Sequence, residues 1–202
     1  MPTGKYHHGD LKNALIQAGV EILAKEGVGS LSLRRVARYA GVSHSAPYAH
    51  FSDKQALIAA ISTEGFRKLY TALENATQPY SSDPKRQLIE CAWAYIQFAT
   101  SERDIFKIMF SGILEQEKDY PDFVEISHRT FNRVVQVVDA CQKAGVLRSA
   151  PLELSAVAVW GQVHGIVSLA LEKQISHTVL DQFNLREMLL FSLNQFTLVK
   201  LT

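Results

Sequence analysis

The stretch from Ser32 to Lys54 constrains the fold more than any other part of the chain. Its first apolar residues recur at i, i+3, i+4 and i+7, the spacing of one helix face: Leu33, Val36, Ala37 and Ala40. Ser32 can cap this helix, and Gly41 predicts its end because glycine readily adopts the left-handed conformation. A second short helix from Ser43 to His50 is expected next. The pattern predicts a helix-turn-helix, whose second helix enters the DNA major groove, although many helical hairpins bind nothing.

Three cations stand where helix dipoles disfavour them. Arg34 and Arg35 occupy the first turn after Ser32, and Lys54 lies at the second position of the next helix. That helix is expected to open with a capping box formed by Ser52 and Gln55. A helix N-terminus beside Lys or Arg suits a phosphate, so the placement favours DNA backbone contacts. The alternative is that these are solvated surface charges with a small unfavourable dipole energy.

The segment GVSHSAPYAHFSDKQALIAAI resembles the helix-turn-helix of the tetracycline-repressor (TetR) family of transcriptional regulators. The family string G-V-S-x-x-x-x-Y-x-H-F-x-x-K-x-x-L is matched by Gly41, Val42, Ser43, Tyr48, His50, Phe51, Lys54 and Leu57. The segments KYHHGDL and VWGQVHG are similar to one branch of the family, which carries a Trp-His-Gly signature, here Trp160, His164 and Gly165. Many relatives have Gly and Leu in place of Ser45 and Pro47, and the proline narrows how the second helix presents its side chains.

The resemblance implies double-stranded operator DNA as a partner. Phosphate contacts are expected near the ends of the helix-turn-helix, and base contacts at the start of its second helix, from His44, Ser45 and Ala46. The predicted DNA-binding residues are Ser32, Arg34, Arg35, Ser43, His44, Ser45, Ala46, Tyr48, His50 and Lys54. Lys5 and Tyr6, in the polar tail, are either further backbone contacts or part of a disordered end.

The N-terminal part of the chain is basic and the remainder is mildly acidic. Residues 1–60 contain seven Lys or Arg and four acidic residues, whereas the remaining 142 residues contain 14 and 16. Hydrophobic content of 47% and charged content of 20% are typical of a globular protein. Cys91 and Cys141 lack CxxC partners and no signal peptide is recognisable, which indicates reduced thiols, no metal site and a cytoplasmic location. The apolar run at 156–171 is too short and too interrupted for a membrane span.

No segment alternates in the manner of a strand, so the predicted fold is all-α with about nine helices. A helix-turn-helix domain of three helices is expected over residues 1–55, and a helical regulatory and dimerisation domain over residues 56–202. A fourth helix, from Ser52 to about Ala76, would be about 35 Å long and would bridge the two parts. The segment PYSSDP, residues 79–84, is interpreted as a linker.

Large apolar side chains are concentrated in the C-terminal part, where they either fill a core or line a pocket with one or two polar groups. The predicted ligand-binding residues are Trp93, Ile96, Phe106, Met109, Phe110, His128, Phe131 and His164. His164 suits an interface histidine equally well. Two alternatives remain open: a DNA-binding dimer with a solid core, and an enzyme with Trp93, Tyr95 and His128 around a substrate. No catalytic, cofactor-binding or metal motif is present in the sequence.

Four small residues of one predicted helix, at i, i+3, i+7 and i+10, form a stripe that would let another helix approach closely: Ala158, Gly161, Gly165 and Ser168. That second helix belongs either to the same chain or to a second copy, and the resemblance implies a dimer bundle of the last two helices. The predicted dimerisation residues are Ala158, Gly161, Gly165, Ser168, Leu189 and Phe196. The predicted function is a homodimeric repressor whose operator binding is relieved by a small apolar ligand.

Overall fold

The computed structural model describes residues 8–202, with side chains from Leu11 onward, and over this range it contains nine α-helices and no strand. The all-α prediction is confirmed. The α-helices are α1 His8–Glu26, α2 Leu33–Tyr39, α3 Lys54–Thr77, α4 Pro84–Ser101, α5 Arg103–Met109, α6 Pro121–Lys143, α7 Leu152–Leu171, α8 His177–Leu180 and α9 Leu185–Leu193. Short 3₁₀ helices occupy Val28–Ser30, Ala46–Ala49, Gln78–Tyr80 and Glu117–Asp119. The candidate contacts Lys5 and Tyr6 lie outside the described residues.

The chain forms two compact units. The N-terminal unit comprises the described residues up to Phe66 together with Asp104–Ile126, and the C-terminal unit comprises Arg67–Arg103 together with Ser127–Thr202. Helices α3 and α6 therefore contribute to both units. The functional division between residues 55 and 56 stays a prediction.

Close helix approach organises the N-terminal unit. At Gly19 of α1, an added Cβ would lie 2.9 Å from Ile61 Cδ1 and 3.3 Å from Leu57 Cδ2, so α1 and α3 can only pack this closely because the residue is glycine. At Gly65 of α3, an added Cβ would overlap the side chains of Ile105 and Met109 on α5. The two glycines thus place α1 and α5 directly against α3.

Helix α4 is the central element of the C-terminal unit, as its apolar composition predicts. Its side chains are buried at most positions, and α7 and α9 pack against it. The predicted linker at residues 79–84 lies inside this unit and is an ordered turn, since the Asp83 carboxylate accepts a hydrogen bond from Arg86 N at 3.0 Å and caps α4. The sequence signals of a linker and of a capped turn are the same here, which explains the wrong interpretation.

The last helix is shorter than the sequence suggests. The apolar residues after Asn184 predict a final helix from Leu185 to Leu198, but α9 ends at Leu193. The Asn194 side chain accepts a hydrogen bond from Leu201 N at 2.8 Å, and Leu198 N donates to Val146 O at 2.8 Å. These bonds turn the chain back along the 146–147 segment. Leu198 N, which would bond within a longer helix, is used by Val146 O instead.

The close approach at Gly65 gives a testable stability prediction. We expect Gly65→Val to lower the free energy of unfolding by about 1–3 kcal/mol, because the new side chain would overlap Ile105 and Met109. Gly29→Val is the matched control, since an added Cβ there has open space, and its effect should stay within about 0.5 kcal/mol. Urea denaturation followed by circular dichroism measures both. Equal losses for the two variants would contradict the close packing.

Candidate nucleic-acid interface

The N-terminal end of α2 is built as the sequence predicts. Ser32 has an extended backbone and its hydroxyl accepts a hydrogen bond from Arg35 N at 3.2 Å. Leu33, Val36 and Ala37 face the core, and Gly41 adopts a φ of 69° just beyond the helix. The apolar face and both ends of this helix are thereby confirmed.

The two arginines of the first turn differ in their environment. Arg34 is exposed and has no acidic partner among the described residues, whereas Arg35 forms an ion pair with Glu26. The guanidinium of Arg35 is therefore compensated within the chain. Its DNA contact stays a prediction, but a phosphate would have to compete with a carboxylate already in place.

An open concavity lies beside this turn. It is lined by 29–31, Ser32, Arg34, Arg35, Arg38 and His44. Concave surfaces lined by one sign of charge concentrate the field that attracts an ion of the opposite sign. Sequence reasoning missed Arg38, although the spacing of four residues from Arg34 places both on the same face of a helix. The structure brings Ser32, Arg34, Arg35 and His44 together here, while Tyr48 and Lys54 lie outside the lining.

The predicted second helix is not an α-helix. The helical part of this segment is the 3₁₀ helix Ala46–Ala49, and Pro47 is buried near its start. Ala46 N donates to Ser43 O at 3.0 Å and Tyr48 N donates to Ser45 O at 3.2 Å, both bonds spanning three residues. Pro47 has no N–H to donate to a residue four positions earlier, so the tighter turn replaces the α-helix.

The predicted base-reading side chains are accessible in this conformation. His44 and Ser45 are exposed, Ala46 is half-buried, and the hydroxyls of Ser43 and Ser45 lie 3.2 Å apart. Tyr48, predicted to contact phosphate, is 53% exposed. His50 is half-buried and its ring is 6.2 Å from that of Phe51. These side chains are at least partly accessible, and their contacts with DNA stay predictions.

The predicted capping box at the start of α3 is wrong. Asp53, rather than Ser52, is the cap, because its carboxylate accepts a hydrogen bond from Ala56 N at 2.8 Å. Lys54 is consequently the first residue of α3, is half-buried, and has no acidic partner among the described residues. The Gln55 side chain bonds elsewhere, to Ile113 and Glu115.

Lys25, near the end of α1, is compensated locally. The Tyr39 hydroxyl donates to Glu21 Oε2 at 2.6 Å, and Lys25 Nζ donates to the same oxygen at 2.9 Å. These two hydrogen bonds lower the pKa of Glu21. A hydrogen bond from Lys25 Nζ to Tyr39 Oη at 3.0 Å, together with the bond to Glu21, raises the pKa of Lys25. Positive charge without a described partner therefore remains on Arg34 and Arg38 within the helix-turn-helix and on Lys54 just after it.

The predicted ligand-binding residues are divided between the two units. Phe106, Met109 and Phe110 belong to the N-terminal unit, where Phe110 packs edge-on against Phe66 at 5.7 Å between ring centroids. Trp93, Ile96, His128, Phe131 and His164 belong to the C-terminal unit. His128 is exposed on α6, which is not the enclosed position that we expected. Trp93 is half-buried, with the Arg186 guanidinium 5.1 Å from its ring centroid.

A polar network lies among the aromatic rings of the C-terminal unit. Trp160 Nε1 donates to Tyr95 Oη at 3.1 Å, and Tyr95 Oη lies 2.7 Å from His164 Nδ1. Burial raises the pKa of Tyr95 and lowers the pKa of His164, so the tyrosine keeps its proton and the histidine is neutral. In the Nε2–H tautomer of the neutral histidine, Nδ1 accepts from the Tyr95 hydroxyl, and in the Nδ1–H tautomer Nδ1 donates to Tyr95 Oη. Sequence reasoning named Tyr95 among the large side chains of the C-terminal part and in the enzyme alternative, but it did not identify its partners, which are more than 60 positions away.

The small-residue stripe of α7 faces away from the core. An added Cβ at Gly161 or Gly165 would meet open space, and Ala158 is exposed. Packing of this stripe within the described chain, one of the two alternatives, is thereby excluded. Ser168 and Phe196 are half-buried. Leu189 is completely buried inside the C-terminal unit, so its assignment to a dimer surface is wrong.

The outer side of α7 is apolar as well as exposed. Leu154 on α7 is 69% exposed and Phe191 on α9 is 73% exposed. The run at 156–171, predicted to be too short and too interrupted for a membrane span, belongs to the longer helix α7, which is long and apolar enough to cross a membrane by length and composition; 28% of that segment is buried. Gln162 and His164 on the same helix nevertheless hydrogen-bond to Ser192 and Tyr95. A lipid environment would have to leave these contacts intact.

The two thiols are buried in the C-terminal unit. Burial raises the pKa of Cys91 and of Cys141 to about 12 in each case, so both are protonated at neutral pH. Cys141 Sγ donates to Pro84 O at 3.1 Å. Among the described residues no cluster of His, Cys, Asp and Glu is arranged to hold a metal ion.

Comparisons with known proteins agree with this architecture. The family model described as bacterial regulatory proteins, tetR family, matches residues 15–61, and the tetracyclin repressor-like C-terminal domain matches residues 88–192. A comparison with curated proteins found no match. The Trp-His-Gly branch rests on resemblance alone.

Solved structures share the fold over three quarters or more of the chain. A protein of unknown function from Rhodococcus sp. RHA1 is 33% identical, with 95% of this chain and 96% of that chain covered and a TM-score of 0.78. A regulatory protein in the tetR family from Rhodococcus RHA1 is 20% identical, with 96% and 95% covered and a TM-score of 0.73. The TetR family regulator PfmR from Thermus thermophilus is 21% identical, with 76% and 84% covered and a TM-score of 0.66. Since the C-terminal family model alone matches more than half of its residues, the chain belongs to the TetR family of DNA-binding transcription regulators.

Proposed function

We propose that the protein is a homodimeric repressor whose operator binding is relieved by a small apolar ligand, acting in the cytoplasm. Residues 1–55 bind DNA, and residues 56–202 dimerise and sense the ligand. The observation that carries the proposal is the position of the uncompensated cations Arg34, Arg38 and Lys54, on α2 and at the start of α3, on either side of an exposed recognition segment. Phosphate contacts by such cations supply most of the affinity, and the recognition segment supplies the base contacts.

The assignment of phosphate and base contacts follows exposure and charge. Arg34 and Lys54 have no acidic partner among the described residues and can bind phosphate, and the exposed Tyr48 hydroxyl can also donate a hydrogen bond to a phosphate. His44 and Ser45 lead the exposed 3₁₀ segment and are placed against base edges. Arg35, held by Glu26, contributes as a partner of Ser32 and Arg34 in the same concavity rather than as a free cation.

Lys54→Ala tests the phosphate contact directly. Removing a cation that releases counterions should weaken binding to specific and mixed-sequence duplexes alike, and should lower the slope of log affinity against log salt by about one per monomer. Fluorescence anisotropy at several salt concentrations measures both. Lys143→Ala removes the same charge from the C-terminal unit, where Lys143 pairs with Asp139, and should leave the slope unchanged. A slope unaffected by Lys54→Ala would make this lysine a solvated surface charge.

A second copy of the chain is the proposed partner of the exposed face of α7 and α9. The open space at Gly161 and Gly165 permits close helix approach, and the exposed Leu154 and Phe191 supply apolar area to bury. A two-fold pair also explains how a single helix-turn-helix obtains sufficient affinity, because each copy contacts one half-site. Gly161, Gly165, Ala158, Ser168 and Phe196 remain in this proposed interface.

Leucine at both Gly161 and Gly165 should overpack the proposed interface and separate the copies. We expect the double variant to sediment as a monomer and to lose binding to a palindromic duplex, since one head contacts only one half-site. Asn75→Leu combined with Asn132→Leu adds the same side chains at sites outside this face and should leave the dimer intact. A normal dimer for the Gly161 and Gly165 variant would remove the interface.

The proposed ligand site lies in the C-terminal unit, among Trp93, Ile96, Phe131 and His164. Its support is an aromatic surrounding with a few polar groups, the usual composition of a small-molecule site. A specific observation favours the alternative of a solid core: Trp160, Tyr95 and His164 satisfy one another, and no buried side-chain polar atom of the described residues lacks a partner. A ligand therefore has to displace an existing contact or occupy space beside it.

A ligand titration separates these two alternatives. A compound found by thermal shift with the unaltered protein should bind about 5–150-fold more weakly when DNA is bound, because coupling between two sites is reciprocal. Isothermal titration with and without the selected duplex measures this factor. Equal affinities in both titrations would show that the compound is not an inducer, and the absence of any binding compound would favour the constitutive dimer.

A further inference from the structure

The side chain of Gln55 joins the first turn of α3 to a segment almost 60 positions away. Gln55 Nε2 donates to Ile113 O at 3.3 Å, and Gln55 Oε1 accepts from Glu115 N at 3.1 Å. The two partners are residues i and i+2 of one chain segment, as in the pairing of neighbouring strands. Among side chains of this length, only a carboxamide donates and accepts in this way at the same time.

The segment that Gln55 holds is fixed to α3 at a second place. Residues 110–120 connect α5 with α6, and α5 lies against Gly65 of α3. The Phe66 ring packs edge-on against Phe110 and against Phe123, each at 5.7 Å between centroids. Gln55 and Phe66 are eleven positions apart, about 16 Å along a helix. All of these residues belong to the N-terminal unit, so the segment follows the first half of α3.

Contacts of two side chains hold the first turn of α3, one on each side of Lys54. The Asp53 carboxylate accepts a hydrogen bond from Ala56 N at 2.8 Å, and the Gln55 amide bonds to Ile113 O and Glu115 N. Asp53 and Gln55 are thus both engaged, whereas Lys54 between them has no acidic partner among the described residues. The first turn of a helix lacks intrahelical acceptors for its N–H groups and frays readily. Contacts on both sides of Lys54 restrain that turn.

We propose that Gln55 is a positioning residue for DNA binding: its amide holds the first turn of α3 against residues 113–115 and so keeps Lys54 directed at a DNA phosphate. The inference rests on the proposed phosphate contact of Lys54. Gln55 itself touches no DNA, and its effect on affinity passes through Lys54. Loss of the amide leaves the Lys54 charge in place but allows the turn that carries it to move.

A double-mutant cycle tests this coupling. The variants are Gln55→Met, which keeps the length of the side chain and removes both hydrogen bonds, Lys54→Ala, and the two combined. The probe is a duplex selected from a random pool by the unaltered protein, with a mixed-sequence duplex of equal length beside it. Affinity and its salt slope are measured for each. Gln17→Met, at an exposed position of α1, is the matched control and should change affinity less than about twofold.

We expect Gln55→Met to weaken binding about tenfold in the otherwise unaltered protein, within what two neutral hydrogen bonds contribute, and to reduce the salt slope. In the Lys54→Ala background the same change should cost less than about twofold, since the group that it positions is gone. Gln55→Asn, which keeps the amide but is one methylene too short to reach both partners, should give a smaller loss with the same dependence on Lys54. If Gln55→Met does not fold, Gln55→Asn takes its place in the double-mutant cycle.

The outcomes separate this inference from the proposed function. If Gln55→Met or Gln55→Asn weakens binding equally with and without Lys54, the amide acts on general stability and the inference is overturned, while the phosphate contact stands. If Gln55→Met leaves affinity unchanged, the inference is likewise overturned. If Lys54→Ala itself leaves the salt slope unchanged, the phosphate contact and the inference fail together.

Discussion

The packing of α3 against its neighbours is the constraint on which the N-terminal unit depends. Gly19 on α1 and Gly65 on α3 remove the side chains that would hold α1 and α5 away from this helix. The helix begins at Lys54, one residue after its aspartate cap, and it continues into the C-terminal unit. The proposed DNA contact at its first residue is therefore attached to a helix that contributes to both units. Any change that shifts the first turn of α3 changes the direction of the Lys54 charge.

Local sequence signals predicted the parts of the site that depend on local chemistry. The apolar spacing of α2, the Ser32 cap and the left-handed Gly41 each follow from a few neighbouring residues, and each is confirmed. The recognition segment failed as an α-helix because Pro47 lacks a donor, a consequence that the sequence already contained. The capping box failed because Asp53, directly beside Ser52, is the acceptor that caps the helix, and because Gln55 bonds to Ile113 and Glu115. No local pattern indicates a partner at that distance.

Composition was a poor guide to the ligand site. Phe106, Met109 and Phe110 form an aromatic-rich cluster, as expected, but they serve the N-terminal unit. Apolarity predicts burial without saying which neighbours surround a side chain, so residues from two units were combined into one pocket. The same limit explains Leu189, whose helical position suited an interface but whose side chain is wholly inside. The stripe at Gly161 and Gly165, by contrast, faces open space, and its place in a dimer interface stays a proposal.

Charge compensation distinguishes structural cations from candidate contacts in a way that sequence alone could not. Lys25 and Arg35 are held by Glu21 and Glu26, whereas Arg34, Arg38 and Lys54 have no acidic partner among the described residues and are the proposed phosphate contacts. A hydroxyl-radical footprint of the unaltered protein on its selected duplex tests the resulting claim that the helix-turn-helix units of two copies bind the DNA backbone. Two protected patches on one face of the duplex, about 34–36 Å or a multiple of that distance apart, are the predicted result. A single patch, or uniform weak protection along the duplex, would contradict it.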